Sequence, residues 1–185
     1  MLDLKEVDKS WTLFLDRDGV INHEKKDGYI LNRDEFVFYK EVPESISFFS
    51  KLFMTIIIVT NQRGIGKGLM SEKDLEDIHA YMLQELWEKN GSIGGIYYCS
   101  SLDATDPNRK PNPGMALLAK KDFPQIDFSK SVMVGNTISD MEFGRNAGMH
   151  TVFLKTTDPG IVLPHAAIDL SFSNLAAFAK ALQLK

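Results

Sequence analysis

The sequence predicts an α/β fold in which a central, mostly parallel sheet is covered by helices on both faces. Short β-branched runs alternate with longer stretches of helical apolar period along nearly the whole chain. The strongest run, "MTIIIVT" at Met54–Thr60, is apolar without alternation, as a strand buried on both sides has to be. No repeat, low-complexity tract or shift in composition divides the 185 residues, which are therefore expected to form one domain spanning 1–185.

Each element has its own signal. Trp11–Leu15 is a compact apolar strand that stops at Asp16. Val42–Leu52 reads as a helix, with Ile46, Phe49 and Phe53 recurring at helical spacing. The strand at Met54–Thr60 follows. Ser71 can cap a helix running to about Lys89, because Asp74 stands three residues on and Leu75, Ile78, Met82 and Leu86 share a face. "GIYYC" at Gly95–Cys99 is a third strand, and Pro113–Lys121 a helix with proline near its first turn, where a missing N–H is harmless. "SVMVG" (Ser131–Gly135) and "HTVFL" (His150–Leu154) are further strands, with a helix through Ala147 between them. Asn174–Leu182 is expected to close the chain as a helix.

Composition removes several classes of function. Lysine and arginine number 21 against 25 acids, a net charge of −4, so nothing marks a nucleic-acid binder. Cys99 is the single cysteine, which excludes an internal disulfide and fits a reducing compartment. The opening "MLDLKEVDKSW" has early acids and no apolar signal-peptide core, and no apolar run approaches bilayer length. These features point to a soluble cytoplasmic protein with no membrane partner, expected to be a monomer.

Ligands of parallel α/β sheets bind beyond the carboxyl ends of the strands. "TLFLDRDGVIN" at Thr12–Asn22 puts Asp16 and Asp18 at such an end. Alone they read as a solvated Asp-Gly turn. The second strand, however, ends in Thr60, Asn61 and Gln62, the segment after the third carries Arg109 and Lys110, and the fourth runs into Asn136 and Asp140. Chance does not gather polar, reactive side chains at one end of four strands. A carboxylate can attack the phosphorus of an anionic ester once a divalent cation and a lysine neutralise the repulsion. Magnesium takes oxygen ligands, which Asp16, Asp18 and either Asn136 or Asp140 could offer. Asp16 would be the nucleophile. Asp18, on the same side if the chain stays extended, would move the proton. Thr60 and Asn61 could donate to phosphoryl oxygens, with Lys110 stabilising the developing charge.

Asp16-x-Asp18, Thr60, Lys110 and Gly135-Asn136-x-x-x-Asp140 resemble, in order, the four motifs of the haloacid dehalogenase (HAD) superfamily of phosphotransferases. "FLDRDGVIN", "TNQRGIGKG" and "RKPNPGM" are similar to its heptose-bisphosphate and histidinol-phosphate phosphatase branch. The match covers roughly residues 13–151. The resemblance implies a Rossmann-like three-layer sandwich and a magnesium-dependent phosphatase with an aspartyl-phosphate intermediate. It also implies that the main-chain carbonyl of Asp18 reaches the metal, that Thr60 and Asn61 hold the transferring phosphate, and that Arg109 grips the substrate. The implied substrate is a small phosphorylated metabolite: heptose 1,7-bisphosphate first, histidinol phosphate as the alternative. Lids in this superfamily are inserted between the motifs. Here 44 positions separate Asp16 from Thr60 and 50 separate Thr60 from Lys110, largely used up by assigned elements, so the fold is expected to be capless. Selectivity would then rest on the loops Asn22–Lys40, Arg63–Leu69 and Ser100–Asn108, with Arg63 and Lys67 available to a second anionic group.

Two departures stand out. The branch commonly binds zinc through cysteines and a histidine before the motif-three lysine, whereas this chain has Cys99 followed by "SSLDATDPN", so no zinc is expected. The first position after glycine in motif four is usually aspartate, and here it is Asn136. An amide oxygen still ligates magnesium but carries no charge, which leaves open a reading of another class, a catalytically weak phosphate-ligand-binding protein.

Overall fold

A computed structural model describes residues 1–185. Its strands are β1 (Thr12–Leu15), β2 (Thr55–Asn61), β3 (Gly95–Cys99), β4 (Ser131–Gly135), β5 (His150–Leu154) and β6 (Leu170–Phe172). They form one sheet in the order β3-β2-β1-β4-β5-β6, and every neighbouring pair is parallel. The "mostly parallel" expectation becomes a wholly parallel sheet. The helices are α1 (Val42–Leu52), α2 (Arg63–Gly66), α3 (Glu72–Glu88), α4 (Gly114–Asp122), α5 (Ile138–Ala147) and α6 (Leu175–Gln183).

Strand residues alternate between two cores. Leu13, Leu15, Ile56, Ile58, Val132, Val134, Val152 and Leu154 pack with α1, α3 and α6 in a cluster of 28 buried residues. Phe14, Ile57, Val59 and Met133 face the other way, onto Met115, Ala116 and Ala119 of α4 and Phe143 of α5. Right-handed crossovers require this division, because the chain steps outward from β1 to β3 in one direction and from β4 to β6 in the other. Each large apolar side chain buried in these layers contributes about 1.5–3 kcal/mol.

The chain reverses direction across the sheet between β1 and β4, so their carboxyl ends splay apart into a crevice. No lid domain intervenes. The β1–α1 connection adds a flap pinned by the bridges Asp18↔Asn22 and Asn22↔Phe38 and by Ile30 and Phe36 in the core. Between β2 and β3 lie only α2 and α3. No helix is long and apolar enough to cross a membrane.

Three local differences have physical causes. Arg63–Gly66, expected as loop, forms one helical turn, and Gly66 lets it approach the segment after β3, since a Cβ there would lie 2.2 Å from the Ser100 carbonyl oxygen. Strand β6 is three residues long and half-buried, too short for a periodic signal. Its register is held by β5 and by Asp169, whose carboxylate accepts from the Thr151 N–H. Helix α4 begins at Gly114, with Pro113 outside it as the cap.

Candidate active site

Asp16 follows the last residue of β1, and its N–H still donates to the Val134 carbonyl, so the β1–β4 ladder sets its position. Its Oδ1 accepts from Lys110 Nζ at 2.8 Å. The same ammonium meets Asp140 Oδ1 at 2.6 Å and donates to the Val59 carbonyl at 3.0 Å. All three charged groups are buried. Burial pushes the Asp16 carboxyl up to about 7; Lys110 opposes the rise, and the Asp140 and Asp18 carboxylates add to it. Lys110 is raised despite its burial, because Asp140 and Asp16 both favour its charged form. One cation thus faces two carboxylates, and the cluster keeps an excess of negative charge.

Asp18 does not lie on an extended chain. Gly19, at φ +83°, turns the backbone, and the N–H groups of Val20, Ile21 and Asn22 all return to the Arg17 carbonyl. The turn delivers the Asp18 carboxylate to Arg17 Nη2 at 3.0 Å, Asn22 Nδ2 at 2.9 Å and Gln62 Nε2 at 2.9 Å. Burial alone would raise this carboxyl. Arg17 and the three hydrogen bonds outweigh it and hold Asp18 below its ordinary value. Arg17 is itself fully buried, its Nη1 against His79 Nε2 at 3.2 Å.

Thr60 ends buried on β2, accepting from Gln62 Nε2 at 2.9 Å, which leaves its own hydroxyl hydrogen for an outside acceptor. Asn61, expected to donate to the phosphate, has its side-chain amide engaged within the protein. Its amide clamps the Lys110 backbone in both directions, with Nδ2 donating to the carbonyl at 3.2 Å and Oδ1 accepting from the N–H at 3.1 Å. The clamp carries Lys110 across from the next connection and fixes where its side chain starts. Arg109 Nη1 is occupied by the carbonyls of Ser101 and Leu102, leaving its other nitrogens free of these contacts. Lys67 Nζ lies 5.0 Å from the Tyr29 ring centre. The hydrogen bond from Lys67 draws the Tyr29 phenol below its ordinary value, and the charges of Arg63 and Arg109 add to it. Tyr29 also lines a cleft of about 170 Å³ with Asp18, Glu24, Lys25, Gly28, Ile30, Asn61 and Gln62. Larger clefts, about 430 Å³ beside Tyr81 and about 540 Å³ beside β6, contain none of Asp16, Asp18, Thr60 or Lys110.

The two candidate metal ligands of motif four differ. Asp140 has no free oxygen: Oδ1 holds Lys110, and Oδ2 accepts from the N–H groups of Asn136 and Thr137 and from the Thr137 hydroxyl. It caps α5 and positions the lysine. Asn136 is buried, donates to Thr157 and Glu24, and leaves Oδ1 without a partner. No trio of His, Cys, Asp or Glu side chains converges as a metal site. A hard cation nevertheless fits the orphaned amide oxygen and the excess negative charge around Asp16. Cys99 is buried in the second core cluster.

Arg17, Asn22, His79, Glu24 and Thr157 were given no part in the site by sequence reasoning, and Gln62 was read only as a polar residue at a strand end. Arg17 and Gln62 sit inside or beside the motifs, but their partners lie 62 and 44 positions away. Spacing carries no sign of that.

A parallel 3-2-1-4-5-6 sheet with a buried Asp16–Lys110–Asp140 cluster at its switch point is the arrangement of a HAD-type phosphatase, and the HAD-hydrolase-like family matches residues 107–166. The chain is 38% identical over 146 residues to the D-glycero-α-D-manno-heptose-1,7-bisphosphate 7-phosphatase of Campylobacter jejuni, covering 79% of this chain and 83% of that one. It is 33% identical over 182 residues to the D-glycero-β-D-manno-heptose-1,7-bisphosphate 7-phosphatase of Escherichia coli, covering 92% and 93%. In three dimensions it resembles the D,D-heptose 1,7-bisphosphate phosphatase of B. bronchiseptica, solved with magnesium and phosphate, at a TM-score of 0.83 and 25% identity over 94% and 98% of the two chains. The chain belongs to the D-glycero-D-manno-heptose-1,7-bisphosphate 7-phosphatase family of the HAD superfamily.

Proposed function

We propose that this protein is a magnesium-dependent D-glycero-D-manno-heptose 1,7-bisphosphate 7-phosphatase working as a single capless domain. The observation that carries the reaction type is the buried Asp16–Lys110–Asp140 cluster, 2.8 Å and 2.6 Å across its two contacts. Family membership carries the substrate. An Asp16 carboxylate oxygen attacks phosphorus, forming an acyl phosphate while the ester P–O bond breaks. Asp18 gives a proton to the departing alkoxide, then takes one from the water that hydrolyses the acyl phosphate, so phosphate leaves and Asp16 returns to carboxylate. Arg17, Asn22 and Gln62 favour the ionised Asp18 needed for the second step. An anionic phosphoryl group beside it raises its proton affinity for the first. Thr60 donates to the phosphoryl group and Lys110 stabilises its charge. Asp16, Asn136 and the Asp18 carbonyl would hold magnesium, whose charge would offset that of the phosphate so that one anion can approach another. Arg63, Lys67 and Arg109 offer charge to the phosphate that is not cleaved.

The test is phosphate release with magnesium across both anomers of heptose 1,7-bisphosphate, the corresponding monophosphate and histidinol phosphate, beside Asp16→Asn. Bisphosphate should be preferred over monophosphate by about tenfold or more, because a charge-assisted hydrogen bond is worth about 1.5–3 kcal/mol. Asp16→Asn should be inactive with an unchanged circular dichroism spectrum. Equal efficiency on the two sugars, or retained turnover in the variant, counts against the substrate and the nucleophile respectively.

A further inference from the structure

Motif four of this chain presents an amide where the superfamily pattern has a carboxylate, so attraction for a cation has to come from elsewhere. Asn136 donates through Nδ2 to Thr157 Oγ1 at 2.8 Å and to Glu24 Oε2 at 3.3 Å. A carboxylate only accepts, so Glu24 dictates which end of the amide faces it. Oδ1 is thereby turned away from Glu24, buried and without a protein partner. Gly19 makes the arrangement possible, since a Cβ there would lie 2.6 Å from Asn136 Cγ. Glu24 has no ion-pair partner, its neighbour Lys25 being drawn to Glu35. The charges that act on it are the Asp18 and Asp140 carboxylates. Glu24 is exposed and stands among anions, one hydrogen bond from an orphaned, buried amide oxygen, and a shared cation would relieve both.

We propose that Glu24 stands in for the missing motif-four carboxylate: through Asn136 it holds the amide oxygen toward a divalent cation and supplies the negative charge that the amide lacks. Glu24 is a positioning residue that acts through Asn136, with Thr157 as the second anchor. The inference rests on the magnesium-dependent reading above.

Metal binding without turnover separates the two. Mn²⁺ affinity, read from the electron paramagnetic resonance of the free ion, is to be measured for wild type, Glu24→Gln, Asn136→Asp and the double variant, each checked by thermal melting. Glu24→Gln should weaken Mn²⁺ binding by about tenfold, because charge and amide orientation are lost together. In the Asn136→Asp background the same change should leave binding equal or tighter, because two adjacent carboxylates would otherwise repel. That non-additivity is the signature of compensation. Wild-type affinity in Glu24→Gln, or the same fold-loss in both backgrounds, overturns the role of Glu24 while leaving the metal-dependent reading intact. Absence of Mn²⁺ binding in all four proteins overturns both.

Discussion

His79 sits on α3, 62 positions from Arg17, and its Nε2 meets the Arg17 guanidinium at 3.2 Å. Burial is the main cause that pushes its imidazole down to about 4, with the Arg17 charge adding to it and Asp18 opposing. An imidazole with a lone pair toward the guanidinium can accept from it, whereas an imidazolium would push Arg17 away from Asp18. The sign of the pH dependence follows. The unfolded chain takes up this proton near pH 6.5 and the folded chain only near 4, so the contribution to stability is complete above pH 6.5 and declines as pH falls toward 4. The full loss is about 3 kcal/mol. His79→Gln keeps an acceptor and removes the titration. Between pH 7 and pH 4.5, urea unfolding should show the variant losing about 2 kcal/mol less stability than wild type. Parallel declines would mean that His79 is not the group buried in neutral form.

At the scale of elements, the Thr137–Asp140 capping box of α5 joins folding to the site. Asp140 Oδ2 accepts from the N–H groups of Asn136 and Thr137 just before the helix, the Thr137 hydroxyl accepts from the Asp140 N–H, and Oδ1 holds Lys110. The Thr-x-x-Asp spacing has the form of a capping box, and it leaves Asp140, expected as one of two alternative metal ligands, with both oxygens already holding protein donors. Thr137→Val removes the hydroxyl with little change in shape. It should cost about 1 kcal/mol in denaturant unfolding and lower kcat, because Asp140 then holds Lys110 less firmly. A stability loss with kcat unchanged would show that the lysine does not depend on the cap. The clamp between Asn61 and the Lys110 backbone works in the same way: β2 sets an asparagine, and the asparagine sets the start of a side chain 49 positions later.

For the whole molecule, the crevice between β1 and β4 collects Asp16, Asp18, Asp140 and Glu24 against the buried cations Lys110 and Arg17. Such a charge balance should make the folded state respond to divalent cations, since the unfolded chain has no assembled site. At a hundredfold excess over its dissociation constant, magnesium should add about 2.7 kcal/mol. For a chain of 185 residues this raises Tm by about 5–10 °C. Scanning calorimetry with and without magnesium, at constant ionic strength, measures it directly. An unchanged Tm would mean that the folded chain does not bind the cation without substrate.

The sequence by itself determined the strand–helix alternation, the two-sided burial of β2, the absence of room for a lid and the polar residues that end β1, β2 and β4. All of these are written in local periodicity and spacing, which is where strand and helix preferences reside. Only the tertiary structure decided how those residues divide their work. Asn61 holds a backbone, Asp140 is engaged by a cap and a lysine, and Asn136 keeps an oxygen without a protein partner, turned away from Glu24. Arg17 entered the core because Asp18, His79 and Phe36 surround its charge with partners that only folding assembles. Each outcome depends on which groups satisfy one another across dozens of residues. A buried polar atom's role is set by the partners that fill its hydrogen bonds, and a linear sequence does not say which partners those are.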